Sequence, residues 1–156
     1  MPQPDFFNIN PEVPEEETLV DKFAKERLEW SQKIQDMSEQ MKSVLKVSEL
    51  MVTVYTERQR CVEYYHYLIS ILIKVNREYK KQYAERFDFW SWKSNIRYPN
   101  EGAKNNKIQT ELAELLEKRE TIENHAKFID KTAATIDNLI YAIPKRIEIE
   151  QISRGK

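Results

Sequence analysis

Glycine is nearly absent from this chain. Of 156 residues only Gly102 and Gly155 lack a side chain. That leaves no glycine-rich phosphate loop, no dinucleotide-binding fingerprint and too few of the positive-φ turns that hairpins need. Nucleotide-binding α/β enzymes and hairpin-rich sheets are disfavoured from the outset. Cysteine is scarcer still. Cys61 stands alone, so it has no disulfide partner within the chain, and with only His66 and His125 beside it a zinc site is out of reach. A reducing, intracellular setting is the default expectation. Long apolar runs are missing too: the most apolar stretch, residues 64–73, contains His66 and Ser70, lies between Glu63 and Lys74, and is about half the length a membrane span requires. The opening Met1-Pro2-Gln3-Pro4-Asp5 has no basic region ahead of an apolar run, so no secretory signal is expected. Nor is there an excess of one charge. The 25 Lys and Arg against 26 Asp and Glu give a formal net charge of −1, which is not the balance of a uniformly basic polyanion coat.

What the chain does have is charge and helical periodicity. A third of it is charged and 40% is apolar, which suits one domain of long, surface-rich helices better than a thick globular core. Pro2, Pro4, Pro11 and Pro14 each fix φ and remove a backbone donor, so residues 1–14 read as an extended arm. Its Phe6, Phe7, Ile9 and Val13 either dock on a neighbouring surface or belong to an unanchored tail. From Glu15 the texture turns helical. Glu15, Glu16, Glu17 and Asp21 suit a helix N-terminus, and residues 15–57 read as an acidic N-terminal helix. Its apolar seam is Val20, Phe23, Arg27, Trp30, Ile34, Met37, Met41, Val44, Ser48, Met51 and Tyr55. A second seam follows through Tyr65, Leu68, Leu72, Val75, Tyr79, Tyr83 and Arg86, with a break expected over residues 56–60.

Residues 91–106 hold Pro99, Gly102 and the breakers Ser94, Asn95, Asn100 and Asn105, and a loop is expected there. From Ile108 the most regular pattern begins: Ile108, Leu112, Leu115, Arg119, Ile122, Ala126, Ile129, Ala133, Ile136, Ile140, Ile143 and Ile147 alternate steps of four and three. A 3.5-residue period of that length favours left-handed helix packing. Pro144 clashes with the Ile140 carbonyl, so a kink or stop is expected there. The fold class is therefore all-α, two or three long heptad-patterned helices in a hairpin or bundle. Either the seams pair within one chain, or some of them are buried between copies of a homo-oligomer. In the second case Ile122, Ile129, Ile136, Ile140, Ile143 and Ile147 are the expected contacts.

Charge is unevenly placed. Residues 1–57 carry 6 basic and 12 acidic side chains, a balance of −6. Residues 74–107 carry 9 basic against 4 acidic, a balance of +5, and this segment is also rich in rings: Tyr79, Tyr83, Phe87, Phe89, Trp90, Trp92 and Tyr98. Cations neutralise phosphates while exposed rings stack on unpaired bases, the combination used in sequence-tolerant single-strand binding. The competing reading makes the rings helix core and the charges a solvated face. Trp90 and Trp92 speak against it, because they fall at the helix exit, where a core stripe should have ended. No catalytic or metal constellation emerges. His66 reads as packed among tyrosines, His125 sits beside the C-terminal seam, and Cys61 follows Arg58 and Arg60 but is alone.

The run Arg86-Phe87-Asp88-Phe89-Trp90-Ser91, at the end of a Lys-rich helix, resembles a motif of the UvsY family of T-even-type phages. That family places there a basic residue, a bulky apolar one, an acidic one, two aromatics and Ser-Gly. Trp92 stands where the family has Gly, and Ala84 where it has the Lys of a Lys-x-Arg pair tied to DNA binding; the Arg of that pair matches Arg86. The resemblance spans residues 58–156 and does not reach the acidic front half. It implies a recombination mediator that forms ring-like homo-oligomers, binds single-stranded DNA, and loads a UvsX-like phage recombinase onto DNA covered by the phage single-stranded-DNA-binding protein. No cofactor, no nucleotide hydrolysis and no membrane are implied, and the setting is the cytoplasm of an infected bacterial host. The expected nucleic-acid-binding residues are Arg77, Lys80, Lys81, Arg86, Trp90, Trp92, Lys93, Arg97 and Lys104. The rival expectation is a structural or assembly coiled-coil protein that binds no DNA.

Overall fold

A computed structural model describes residues 17–155, and every regular element among them is helical. The expected arm, residues 1–14, lies outside the described residues. Helix α1 (Leu19–Gln40) begins where Thr18 accepts the Asp21 amide at 3.1 Å, which satisfies one of the free N–H groups of the first turn. A short turn and a single 3₁₀ turn (Val44–Lys46) lead into α2 (Val47–Asp88), 42 residues and about 63 Å long at about 1.5 Å per residue. One π-helical turn (Phe89–Lys93) and an extended stretch, 94–100, connect to α3 (Glu101–Glu111) and α4 (Ala113–Arg154).

Helices α2 and α4 form an antiparallel spine. Arg58 pairs with Asp137 near one end, and Arg119 lies 5.4 Å over the Tyr79 ring towards the other. On α2 the buried residues are Val47, Leu50, Val54, Glu57, Cys61, Leu68 and Val75. On α4 Ile122, Ile129, Ile136 and Ile143, seven residues apart, are at most 1% exposed. Helix α1 adds Phe23, Trp30 and Met37 at the same interval and runs antiparallel to α2, with Glu26 reaching Tyr64 and Lys33 reaching Glu57. The result is three helices over one half of the spine. Beyond α1 a tip remains, made of the end of α2, the π turn and α3, while the start of α4 shares a cleft with the N-terminal end of α1. Among the described residues no helix is long and apolar enough to cross a membrane.

Four expectations are corrected. The break expected over 56–60 is absent, because α2 runs through it; the chain turns instead between α1 and α2, where Leu45 is 89% exposed. That turn shifts the register by one residue, burying Val47, Leu50 and Val54, while Ser48 and Tyr55 are exposed and Met51 is partly buried. Glu57, within the stretch where the break was expected, is tolerated in the core because Lys33 Nζ (3.0 Å) and Arg60 Nη1 (2.8 Å) neutralise it. The loop expected over 91–106 shrinks to 94–100: Asn100 accepts the Ala103 amide at 2.8 Å and starts α3, leaving Gly102 and Asn105 inside a helix. Of the kink or stop expected at Pro144, the stop is overturned: α4 runs through it to Arg154, with the proline ring on the exposed side of the helix. Finally, Ile122, Ile129, Ile136 and Ile143 face this chain's own core, and Ile140 and Ile147 are partly buried against it. The first four are not free to contact a second copy, because the intramolecular hairpin has used them.

The C-terminal seam is carried by two helices rather than one. At Leu112 (φ −100, ψ 15) the axis bends, while amide bonds of 3.0 Å from Leu112 to Ile108 and from Leu116 to Leu112 carry the ladder across. Leu112 and Ile108 are both buried, so the bend lays α3 back over the end of α2.

Candidate nucleic-acid interface

The tip owes its shape to the π turn. The Ser94 amide reaches five residues back to the Phe89 carbonyl at 2.9 Å, which inserts one residue into the helical ladder and turns the side chains that follow. Trp90 and Trp92 come out in different places. Trp90 packs edge-on against Phe89 (5.0 Å between centroids) and Tyr98 (5.5 Å), and its Nε1–H donates to Glu111 at 3.2 Å. Trp92 is 84% exposed. One tryptophan anchors the tip and the other is left open to stack on something else.

Two clefts flank the turn. The larger, about 490 Å³, is lined by Phe87, Trp90, Trp92, Arg97, Tyr98 and Lys104, with Glu101 at its edge. Lys104 Nζ crosses it, 3.9 Å over the Phe87 ring and 3.0 Å from Ser91 Oγ. The smaller, about 400 Å³, holds Arg86, Lys93 and Phe89 together with Glu78 and Glu85. The first combines rings with two cations against one carboxylate, whereas the second is electrically balanced.

Of the nine expected residues, Trp90, Trp92, Arg97 and Lys104 converge on the larger cleft, and Arg86 and Lys93 on the smaller. Arg77, Lys80 and Lys81 are exposed on α2 and line neither of the two. Lys80 lies two turns before Phe87 and so extends the face of the larger cleft, while Lys81 is turned about 100° away from it. The residues that sequence reasoning did not single out are Phe87, Tyr98 and Glu111. Tyr98 and Phe87 were visible as members of an aromatic segment. Nothing in the pattern marked Glu111, because only the bend at Leu112 brings α3 against Trp90.

The remaining chemistry is internal. His125 is wholly buried, stacked on Phe23 at 4.0 Å, with Phe128 at 6.1 Å on a nearly parallel plane. Its Nε2–H donates to Glu26 at 2.8 Å, and Tyr64 donates to the same carboxylate oxygen. Nδ1 has no partner. Burial holds the imidazole below its ordinary pKa, with Glu26 opposing the shift, and it raises the Tyr64 hydroxyl, which the bond to Glu26 raises further. This triad ties α1, α2 and α4 together. The expectation for His66 is corrected, because it is exposed; His125, beside the C-terminal seam, is the packed one. Cys61 is buried among apolar neighbours and beside Glu57, which pushes its thiol up to about 12, far from a reactive thiolate. Among the described residues no three His, Cys, Asp or Glu side chains converge as a metal site. Comparison with protein-family models, curated proteins and solved structures finds no match to this chain.

Proposed function

We propose that this chain is a single-stranded-DNA-binding recombination mediator of UvsY type, and that its tip is the DNA surface. The observation that carries the reading is the convergence of exposed Trp92 and Arg97 and half-buried Lys104 on one aromatic-walled cleft at a π turn. An open indole offers a face to any base, and the flanking cations follow the phosphates, so binding is tolerant of sequence. Each copy contributes few phosphate contacts. Association into a homo-oligomer, which is part of the proposal, multiplies them. Since the isoleucine seam is spent inside the chain, the contacts between copies draw on apolar groups left outside, such as Val52 and Tyr55 on α2 and Tyr141 on α4, which are 70, 52 and 74% exposed. The proposed partners are a UvsX-like recombinase and the phage single-stranded-DNA-binding protein, in the cytoplasm of the infected host. No catalytic step or cofactor is assigned.

Fluorescence anisotropy of labelled oligo-dT, repeated across salt concentrations, tests this reading. The expected result is binding at low salt whose logarithm falls linearly with log salt, by about 0.7 per neutralised phosphate. Absence of binding at low salt would remove the proposal. The second reading, an assembly protein without DNA affinity, is favoured by one observation: Trp90 and Lys104 already have partners within the tip, as in a structural cap.

A further inference from the structure

We infer that Glu111 holds the place of a nucleic-acid phosphate at the tip, as an internal carboxylate that bound DNA must displace; the inference rests on the single-strand-binding reading above. Three groups from three segments converge on this one carboxylate. From the π turn, the Trp90 indole N–H donates to Oε2 at 3.2 Å. From the end of α2, Arg86 Nε lies 3.6 Å from the same oxygen. From α3, Lys107 Nζ stands 3.8 Å from Oε1 and 5.6 Å from the centre of the Trp90 ring. A guanidinium, an ammonium and a neutral N–H around one oxyanion are the donors that phosphodiesters recruit.

The geometry is that of a replaceable ligand rather than a locked one. Charge-assisted N–H···O bonds close to about 2.7–2.9 Å, and both cations here stand well outside that range. The Arg86 and Lys107 side chains are 51 and 41% exposed, so an incoming phosphate reaches them from solvent. A phosphodiester carries the same single negative charge as the carboxylate. Exchange of one for the other therefore preserves the local balance, and Glu111 is freed into water. Glu111 is the last residue of α3, next to the bend at Leu112, so it leaves by turning its own side chain.

The consequence is a tip whose cations are partly neutralised until DNA arrives, and whose affinity is set below what its basic residues allow. Removing the competing charge should strengthen binding. Glu111→Gln keeps the size of the side chain and an acceptor for Trp90 while deleting the charge. In the full chain, E111Q is expected to tighten oligo-dT binding by roughly two- to fivefold at low salt, the scale of one partly exposed ion pair, and to steepen the salt dependence. The same substitution in an Arg86→Ala background separates a local exchange from a general gain of positive charge, because with Arg86 gone the benefit should shrink to the share that Lys107 keeps. Wild type that binds while E111Q binds no better overturns the inference and leaves the DNA reading standing. A gain that persists undiminished in R86A also overturns it. Failure of wild type and E111Q alike to bind oligo-dT overturns both.

Discussion

At the scale of single residues, His125 carries the clearest stability consequence. Its folded pKa lies below the ordinary value of about 6.5, so between the two the unfolded chain binds a proton that the folded chain refuses. The stabilisation by neutral His125 is complete above that ordinary value and is lost as pH falls through the folded pKa. Around the ring Glu26 favours the cation, Lys22 and Arg27 oppose it, and Tyr64 shares the acceptor. Protonated Nδ1 would also become a buried donor without a partner. Urea midpoints measured from pH 7.5 to 5 should fall in wild type and change less in His125→Phe, which keeps the ring stack. Equal slopes in the two proteins contradict this account. Cys61 makes a simpler statement: buried, with its thiol pushed up to about 12, it should resist a thiol reagent in the native protein and react fully in urea. Rapid labelling of the native protein would mean that the α2 core opens far more often than its packing implies.

At the scale of elements, the sequence pattern served the C-terminal half better than the front. From Ile108 onwards the 3.5-residue spacing named Ile122, Ile129, Ile136 and Ile143 as one face, and all four are buried. In the front half the break was placed over 56–60, a stretch of polar residues that includes Glu57. A charge neutralised from another helix, by Lys33, is invisible to periodicity within one helix. The aromatic tip was legible as composition but not as geometry, because the π turn and the bend at Leu112 arise from packing. What a seam packs against was not legible either: the same isoleucines suit a partner chain or the chain's own hairpin. Ile129→Ala, at 0% exposure, should cost about 2–5 kcal/mol in chemical denaturation. Tyr141→Ala, at 74% exposure, should stay within about 0.5 kcal/mol for the isolated chain. If the two substitutions proved equally costly, the division between core and outer face would be wrong.

At the scale of the whole molecule, near-neutrality conceals a segregation. The acidic front half supplies α1, whose N-terminal end shares a cleft with the start of α4, and the basic, aromatic segment supplies the tip. The central claim is that the tip cleft, with Trp92 as its open face, binds single-stranded DNA. The most direct test compares wild type with Trp92→Ala in an oligo-dT anisotropy titration, with thermal melting in parallel. Trp92 is 84% exposed and outside the core, so melting should be unchanged, while loss of base stacking should weaken binding by about 1–3 kcal/mol. Equal affinities in the two proteins, or no binding by wild type at low salt, would contradict it.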